Sequence, residues 1–395
     1  MKDKSNILIA GAGLGGLTAA IALAKRGFKV RVFEQAPKLG EIGAGVQISP
    51  SGFRVLDHLG LKQEILSACY VPTGRQMLVW NTGYATKPFL SGDVAAKYGL
   101  PVIHIHRADL HAILVNALQT LQPDAIQLDS RVTGFEQDGD AVDLKLANGQ
   151  RHSGGALIAA DGIHSAIRHQ MFGASKARFT GGISWRGMMR YDDLPEAVRP
   201  PYMQVWLGLK GHVVVYRVRR GELVNVVAHM ERSDWQVESW TELGTPEEFL
   251  ADFAGWHPNI QTLIKTIDKP YKWGLFLHPT QTKWAAGRVT LMGDACHPTL
   301  PYLGYGANMA FEDALVLARC LAEFGEVEEA LEHYEQARIP RTTKIVNASA
   351  ANGDRYHAPD LAQPETAKAY LDRESLEPDV LRDWLLGYDA ATTPI

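Results

Sequence analysis

The stretch that most constrains the fold is residues 6 to 34. Asn6 to Ala10 reads as a short buried strand, Gly11-Ala-Gly-Leu-Gly-Gly16 as a tight turn, Leu17 to Gly27 as a helix, and Phe28 to Phe33 as a second strand ending on Glu34. This strand, turn, helix, strand and acid meet the needs of a bound dinucleotide. Gly11 permits the turn, Gly13 lets the backbone approach a pyrophosphate, and Gly16 lets helix pack on strand. The phosphates then face the free N–H groups and positive dipole end of a helix. Glu34 stands where a carboxylate accepts hydrogen bonds from a ribose diol and disfavours a 2′-phosphate, which selects FAD or NAD over NADP.

Ile7 to Ala24 carries no charge and follows a lysine-bearing start, so a signal segment or membrane helix is the competing reading. The glycine density argues against it. With 395 residues, 46% of them hydrophobic, the chain can bury a large core and divide into two domains. A net charge of −4 and the lack of a long basic run offer nothing to nucleic acid or an acidic membrane surface. Cys69, Cys296 and Cys320 have no metal or CxxC spacing, which suits three free thiols in a reducing cytoplasm.

Further along, Val46 to Pro50 alternates and leads into a helix from about Ser51, and Gln47 is placed to point from its loop into a pocket. Residues 71 to 100, broken by Gly, Pro and Thr, read as an excursion from the nucleotide domain. His104, His106 and His111 invite a metal site, but no carboxylate or thiol pattern joins them, so no metal is expected. Arg107, at a strand-to-helix junction, can reach a phosphate or ribityl oxygen. Residues 126 to 159 read as strands with an Asn148-Gly149 hairpin turn, leading to a buried strand that ends in Asp161-Gly162. Several short strands between Gly181 and about Met230 predict an inserted mixed sheet. A last strand, Val289 to Met292, leads to Asp294, a Gly/Pro loop from Pro301 to Gly306, and a helix to about Phe324. His297 reads as structural. Residues 356 to 395, with Pro359, Pro364 and Pro378, read as a loosely packed C-terminal extension.

Three landmarks together, the glycine turn with Glu34, the Asp161-Gly162 turn with Arg168, and Gly-Asp-Ala-x-His-x-x-x-Pro-x-x-Gly at Gly293 to Gly304, resemble the single-component FAD-dependent aromatic hydroxylases of p-hydroxybenzoate hydroxylase-like fold. The likeness runs from the first strand to about residue 350. Gly43 to Ile48, Ile105 to Leu110 and Trp185-Arg-Gly187 look like stretches of the salicylate and 6-hydroxynicotinate branch. The resemblance implies an α/β chain: a Rossmann-like FAD-binding domain (1–70, 101–178 and 275–355), an inserted mixed β-sheet substrate domain (71–100 and 179–274) and C-terminal helices (356–395). It places non-covalent FAD against Gly11, Gly13, Leu14, Gly15, Gly16, Glu34, Gln35, Gly45, Arg107, Asp161, Asp294, Gly304, Gly306, Ala307 and Asn308. Pro301 would lie beside the isoalloxazine.

The implied activity is NAD(P)H-consuming hydroxylation of a small electron-rich hydroxy-aromatic or hydroxy-pyridine carboxylate through a flavin C4a-hydroperoxide, with loss of CO2 left open. NADH, or NADPH, is the transient donor and O2 the co-substrate; the chain would act as a monomer or homodimer. On the strand from His212 to Val218, His212, Val214, Tyr216 and Val218 share one face, and the resemblance assigns His212 and Tyr216 to substrate, with Gln47 and Arg186 beside them. Two departures stand out. A His occupies the position of Gln47 in the 6-hydroxynicotinate enzyme, and many relatives have Gln where this chain has Tyr305, whose ring is expected to shield the flavin edge or contact the substrate, or else to face solvent from its loop. A flavin-dependent dehydrogenase or reductase, and a non-catalytic flavin-binding protein, are the other classes compatible with the same loops.

Overall fold

The computed structural model describes residues 6–40, 44–173, 176–234, 242–376 and 380–395. Gly43, at the head of one family-like stretch, and Pro378 lie outside them. One part of the fold is built on a six-stranded sheet ordered Ala285–Ala286, Val289–Leu291, Ala156–Ala159, Asn6–Ala10, Lys29–Phe33 and Ile126–Gln127. All pairings are parallel except that of Ala285–Ala286. Ile7, Leu8, Ile9 and Ala10 are all fully buried, as expected of a central parallel strand covered on both faces. The helix Leu14–Ala24 is apolar almost all round and packs between this sheet and the helices Arg107–Leu121 and Gly306–Glu323. The Asn148-Gly149 turn forms as expected, with Gly149 at φ +84°, between the antiparallel strands Val142–Leu146 and Arg151–Gly154.

A seven-stranded sheet follows the order Tyr271–Leu277, Arg178–Arg190, Leu223–Glu231, Gly211–Val218, Met203–Gly208, Gly74–Val79 and Phe89–Leu90. It is antiparallel except where Met203–Gly208 pairs with Gly74–Val79. One face buries Trp185, Val213, Val215, Val224 and Val226 against Phe249, Ile260 and Leu263 of the helices Pro246–Asp252 and Pro258–Lys265. Trp185 stacks on Phe249 with centroids 4.8 Å apart. Strand alternation then sends Ser184, Arg186, Asn225, His229, His212, Val214 and Tyr216 to the other face.

The C-terminal residues differ from the loose extension expected of them. Leu361, Ala367 and Leu371 are fully buried and pack with Val79, Val205 and Leu207 of the large sheet. The Tyr84 hydroxyl donates to Asp372 Oδ1 at 2.6 Å, and Trp80 Nε1 donates to the Leu361 carbonyl at 2.9 Å. Nearer the end, Arg54 donates to the Tyr388 carbonyl at 2.6 Å, and Arg319 to those of Ala390 and Thr393 at 2.9 and 2.8 Å. The prolines and acids that suggest looseness are offset by apolar residues at helical spacing and by carbonyls that capture Arg54 and Arg319.

Candidate active site

Four backbone turns meet at the end of the first sheet. Gly11 adopts φ +98°, and a Cβ on it would lie 2.5 Å from the Ala160 carbonyl oxygen, so its turn sits directly against the Asp161 turn. A Cβ on Gly16 would lie 2.1 Å from the Gly11 oxygen, whereas one on Gly13 would meet nothing within 4 Å. Gly15 lets the first helix approach Ala310, which also lies under Gly293 at 3.5 Å. Ala310 thus joins the glycine turn, the Asp294 turn and the helix Gly306–Glu323. The fourth turn, Pro301 to Gly304, lies beside the Gln47 side chain, 3.8 Å from a Cβ placed on Gly304.

The helices Leu14–Ala24 and Gly306–Glu323 both begin at this junction, and neither N-terminus is capped by a side chain. Their first N–H groups have no intrahelical acceptor, so both helix starts present donors and positive dipole ends to an anionic ligand. Glu34 sits at the mouth of the glycine turn, where Oε2 accepts from Ala12 N–H at 2.8 Å and Oε1 from Ala36 N–H at 2.9 Å. Gln35 and Asp294 are exposed at the same rim. An open space over Gly13, two bare helix starts and a rim of acceptors fit an extended dinucleotide with a polyhydroxyl linker.

Other expected contacts are placed differently. The Leu14 side chain is buried in the core, so only its N–H can face a ligand. Asn308 is also turned inward: its Oδ1 accepts from Ser49 N–H at 2.9 Å, and its Nδ2 donates to the carbonyls of Gln47 and Gly304 at 3.1 and 3.3 Å. It aligns Gln47 with the Pro301 loop, and Gly306 and Ala307 complete the helix start. Asp161 Oδ2 caps the helix Ala166–Phe172 by accepting from Ala166 N–H at 2.9 Å, and Oδ1 is buried with no hydrogen bond among the described residues. Burial pushes its carboxyl up, against the hydrogen bonds it accepts. Arg168 ties this turn to the next by donating to the Ala295 carbonyl at 3.0 Å.

Tyr305 departs from these expectations, because its ring is buried with Met309, Ile345 and Val346 and its hydroxyl points neither to solvent nor into the junction. The hydroxyl donates to the Leu385 carbonyl at 2.7 Å and lies 2.9 Å from Ser49 Oγ and 2.5 Å from Ser51 Oγ. His297 is structural as expected: its Nε2 donates at 2.6 Å to Asp313, which also accepts from Arg338 Nε at 2.8 Å. The metal-like histidines diverge. His111 Nε2 bonds the Ala12 carbonyl at 2.8 Å, supporting the glycine turn, while His104 packs 4.8 Å from the Tyr216 ring and burial lowers its pKa to about 3.

The second sheet brings its polar face to this junction. Tyr216 is buried, and its hydroxyl would lie 2.6 Å from a Cβ on Gly45, whose N–H donates to Asn225 Oδ1 at 3.1 Å. Arg107 donates its N–H to the Ala44 carbonyl next door at 2.8 Å. Arg186 stands over the Trp273 ring at 4.4 Å, and burial lowers its pKa to about 10. A cavity of about 250 Å³ opens beside it, lined by Arg186, Met188, Asn225, Lys269 and Tyr271. In the next register position Ser184, His229 and His212 stand side by side across three strands. His212 packs against Tyr302 of the Pro301–Leu303 turn at 5.3 Å. Ser184 Oγ, His229 Nδ1, His212 Nε2 and Asn225 Nδ2 are buried and make no hydrogen bond among the described residues. Each such group costs about 1–3 kcal/mol unless something pairs with it. His212 and Tyr216 are readable from their own strand; Ser184, Asn225 and His229 are not, since only strand register sets them beside those two.

A dinucleotide cradle that meets a sheet face of unsatisfied polar groups defines a flavoprotein that holds a small polar substrate against its cofactor. Comparison agrees. Residues 4–349 match a family model described as FAD binding domain. The chain is 36% identical to 3-amino-4-hydroxybenzoate 2-monooxygenase PtnB3 of Streptomyces platensis, covering 98% of this chain and 97% of that one. It is 31% identical to 6-hydroxynicotinate 3-monooxygenase of Bordetella bronchiseptica, with 100% and 98% covered. The fold superposes on Klebsiella pneumoniae HpxO complexed with FAD and uric acid with a TM-score of 0.85 at 26% identity, covering 98% and 97%. The chain belongs to this FAD-binding family and is a flavoprotein monooxygenase of the aromatic-hydroxylase class. Among the described residues no helix is long and apolar enough to cross a membrane.

Proposed function

We propose that the chain hydroxylates a small aromatic or pyridine acid bearing a ring hydroxyl or amino group, with NAD(P)H as electron donor. The observation that carries this is the row Ser184, His229, His212, with Asn225 and Tyr216 two same-face positions along, buried and polar on the sheet face beside the Pro301 loop. Those groups suit a ligand that is flat, carries hydroxyl and carboxylate oxygens, and fills a dry site. FAD, when bound and reduced, would activate O2 so that one of its oxygen atoms passes to the ring.

The residues divide the remaining work. Gly13, Glu34 and the two bare helix starts hold the dinucleotide, with Arg107, Gly45 and Asp294 along its middle and Pro301 and Gly304 at its reactive end. Arg186 pairs with the substrate carboxylate. Gln47 and Asn225 orient the ring, Tyr216 donates to or relays from a ring oxygen, and His212 accepts the ring hydroxyl proton, which raises the nucleophilicity of the carbon to be hydroxylated. Trp273 and Tyr302 exclude water.

Oxygen uptake with NADH over a panel of hydroxylated benzoates and nicotinates tests the reading, because a hydroxylase consumes O2 and forms hydroxylated product while a reductase works anaerobically. Tyr216→Phe should retain FAD and NADH-driven reduction but lose about ten- to a hundredfold in hydroxylation. Full coupled activity in that variant with an unchanged pH profile would move the search to Gln47 and Arg186.

A further inference from the structure

His212 is not isolated in its buried position. Its Nδ1 lies 2.8 Å from Nε2 of His357, the residue that ends the long helix Val327–Tyr356. Nδ1 of His357 lies in turn 3.2 Å from Oε1 of Glu231, at the end of the strand Leu223–Glu231. Exposure rises along the chain: His212 is fully buried, the His357 side chain is 10% exposed and that of Glu231 is 52% exposed. The series leads from the polar sheet face to water.

The two bonds fix each other's direction. A carboxylate only accepts, so His357 must donate from Nδ1; its Nε2 is then the acceptor for His212 Nδ1–H. That leaves His212 Nε2 as a bare lone pair, and it is the nitrogen that is buried without a hydrogen bond among the described residues. We propose that His212, His357 and Glu231 form a proton relay that carries the proton of a bound ring hydroxyl from the sheet face to solvent.

The step balances without a further reagent. The ring hydroxyl gives its proton to His212 Nε2 as His212 Nδ1–H passes to His357 Nε2, His357 Nδ1–H passes to Glu231, and Glu231 releases a proton to water. The products are a bound ring oxyanion and one solvated proton, and both imidazoles end neutral in the opposite tautomer.

The surroundings favour passage over storage. His212 faces His229 at 4.5 Å, Tyr302 at 5.3 Å and Tyr356 at 4.9 Å, and the nearest charges are Arg186 beside His229, and Asp354 and Glu231 beside His357. Burial, with the two neighbouring histidines, holds His212 well below the ordinary histidine range. A protonated His212 is therefore short-lived unless its other proton leaves through His357.

The relay rests on the reading of this face as the substrate side, and the test separates the two. FAD-loaded enzyme is mixed rapidly with 6-hydroxynicotinate or 3-amino-4-hydroxybenzoate in weak buffer containing an indicator dye, and proton release is followed beside the ring-oxyanion absorbance. The wild type should release a proton as the oxyanion forms. His357→Ala and the surface variant Glu231→Gln should slow that release by at least about tenfold with ligand affinity retained. Imidazole should restore the rate in His357→Ala alone, an effect that a merely structural role would not produce. Release at the wild-type rate in both variants overturns the relay alone, as does slowing in His357→Ala that imidazole leaves unchanged. If neither compound binds to or is ionised by the wild type, the substrate reading fails and the relay falls with it.

Discussion

Substitution of Gly13 by alanine should separate cofactor binding from folding. Gly13 has φ −71° and ψ 178°, angles that alanine adopts without strain, and the added methyl meets nothing within 4 Å in the protein. The apoprotein should therefore be as stable as the wild type, or more stable by about 0.4–1 kcal/mol through a stiffer unfolded chain. The same methyl occupies the space a pyrophosphate needs to reach the first N–H groups of the helix Leu14–Ala24. Losing one or two charge-assisted hydrogen bonds, at about 1.5–3 kcal/mol each, centres on about 3 kcal/mol, or roughly a hundredfold in Kd. Gly16→Ala is the converse. Its methyl would lie 2.1 Å from the Gly11 oxygen, so overpacking should cost the apoprotein about 1–3 kcal/mol before any ligand is added. Flavin-fluorescence titration of apoprotein and thermal melts without FAD read the two effects. Affinity in Gly13→Ala within about threefold of the wild type, or a melting loss as large as that of Gly16→Ala, would refute the reasoning.

Glu34→Ala should weaken FAD binding by about 1–3 kcal/mol, read by the same titration; unchanged affinity would remove Glu34 from the ribose site. Tyr305→Phe should destabilise the fold by about 0.5–1.5 kcal/mol, because the Leu385 carbonyl loses its 2.7 Å donor and keeps only Arg341 at 3.1 Å, and should leave hydrogen peroxide formed per NADH unchanged; altered uncoupling with intact stability would return that ring to the flavin edge. Burial alone would raise the Asp313 carboxyl, but His297 and Arg338 outweigh it and hold the group below its ordinary value. Its contribution is thus fully present above the unfolded carboxylate pKa of about 3.9 and is lost as pH falls through the lower folded value. Urea unfolding should show an Asp313→Asn deficit that is constant from neutrality to about pH 4 and narrows only below it; narrowing near neutrality would contradict the assignment.

What could be read from the sequence follows the range of the interactions. The glycine turn, Glu34, and the Asp161 and Asp294 turns are local motifs whose backbone needs are written in consecutive residues. The alternation of His212 to Val218 is equally local, and its faces fall as the period requires: Val213 and Val215 enter the apolar core while Val214 packs on the other side. Tyr305 illustrates the limit. Its place in a Gly/Pro loop suggests flavin edge, substrate or solvent, but its partner is the Leu385 carbonyl, eighty residues away in sequence. His357 is subject to the same limit, since nothing near it marks the end of a helix as the neighbour of His212, 145 positions earlier. The C-terminal segment misleads for a related reason: prolines and acids set its composition, while Leu361, Ala367 and Leu371 decide its packing.

The two faces of the large sheet explain how such a site persists. Four buried polar atoms without a partner among the described residues, at about 1–3 kcal/mol each, are a heavy load for one sheet face. The opposite face offsets it with Trp185, Val213, Val224 and Val226, all fully buried, each contributing about 1.5–3 kcal/mol by area. Because both sets hang on the same strands, Arg178–Arg190 and Leu223–Glu231 above all, the apolar packing also fixes the register that aligns Ser184, His229 and His212. A one-residue slip of either strand would turn its polar residues into the core and its apolar ones toward the cofactor. The hydrophobic face thereby positions the polar row, and a ligand that pairs with Ser184, His212, Asn225 and His229 recovers in binding what the empty fold gives up in stability.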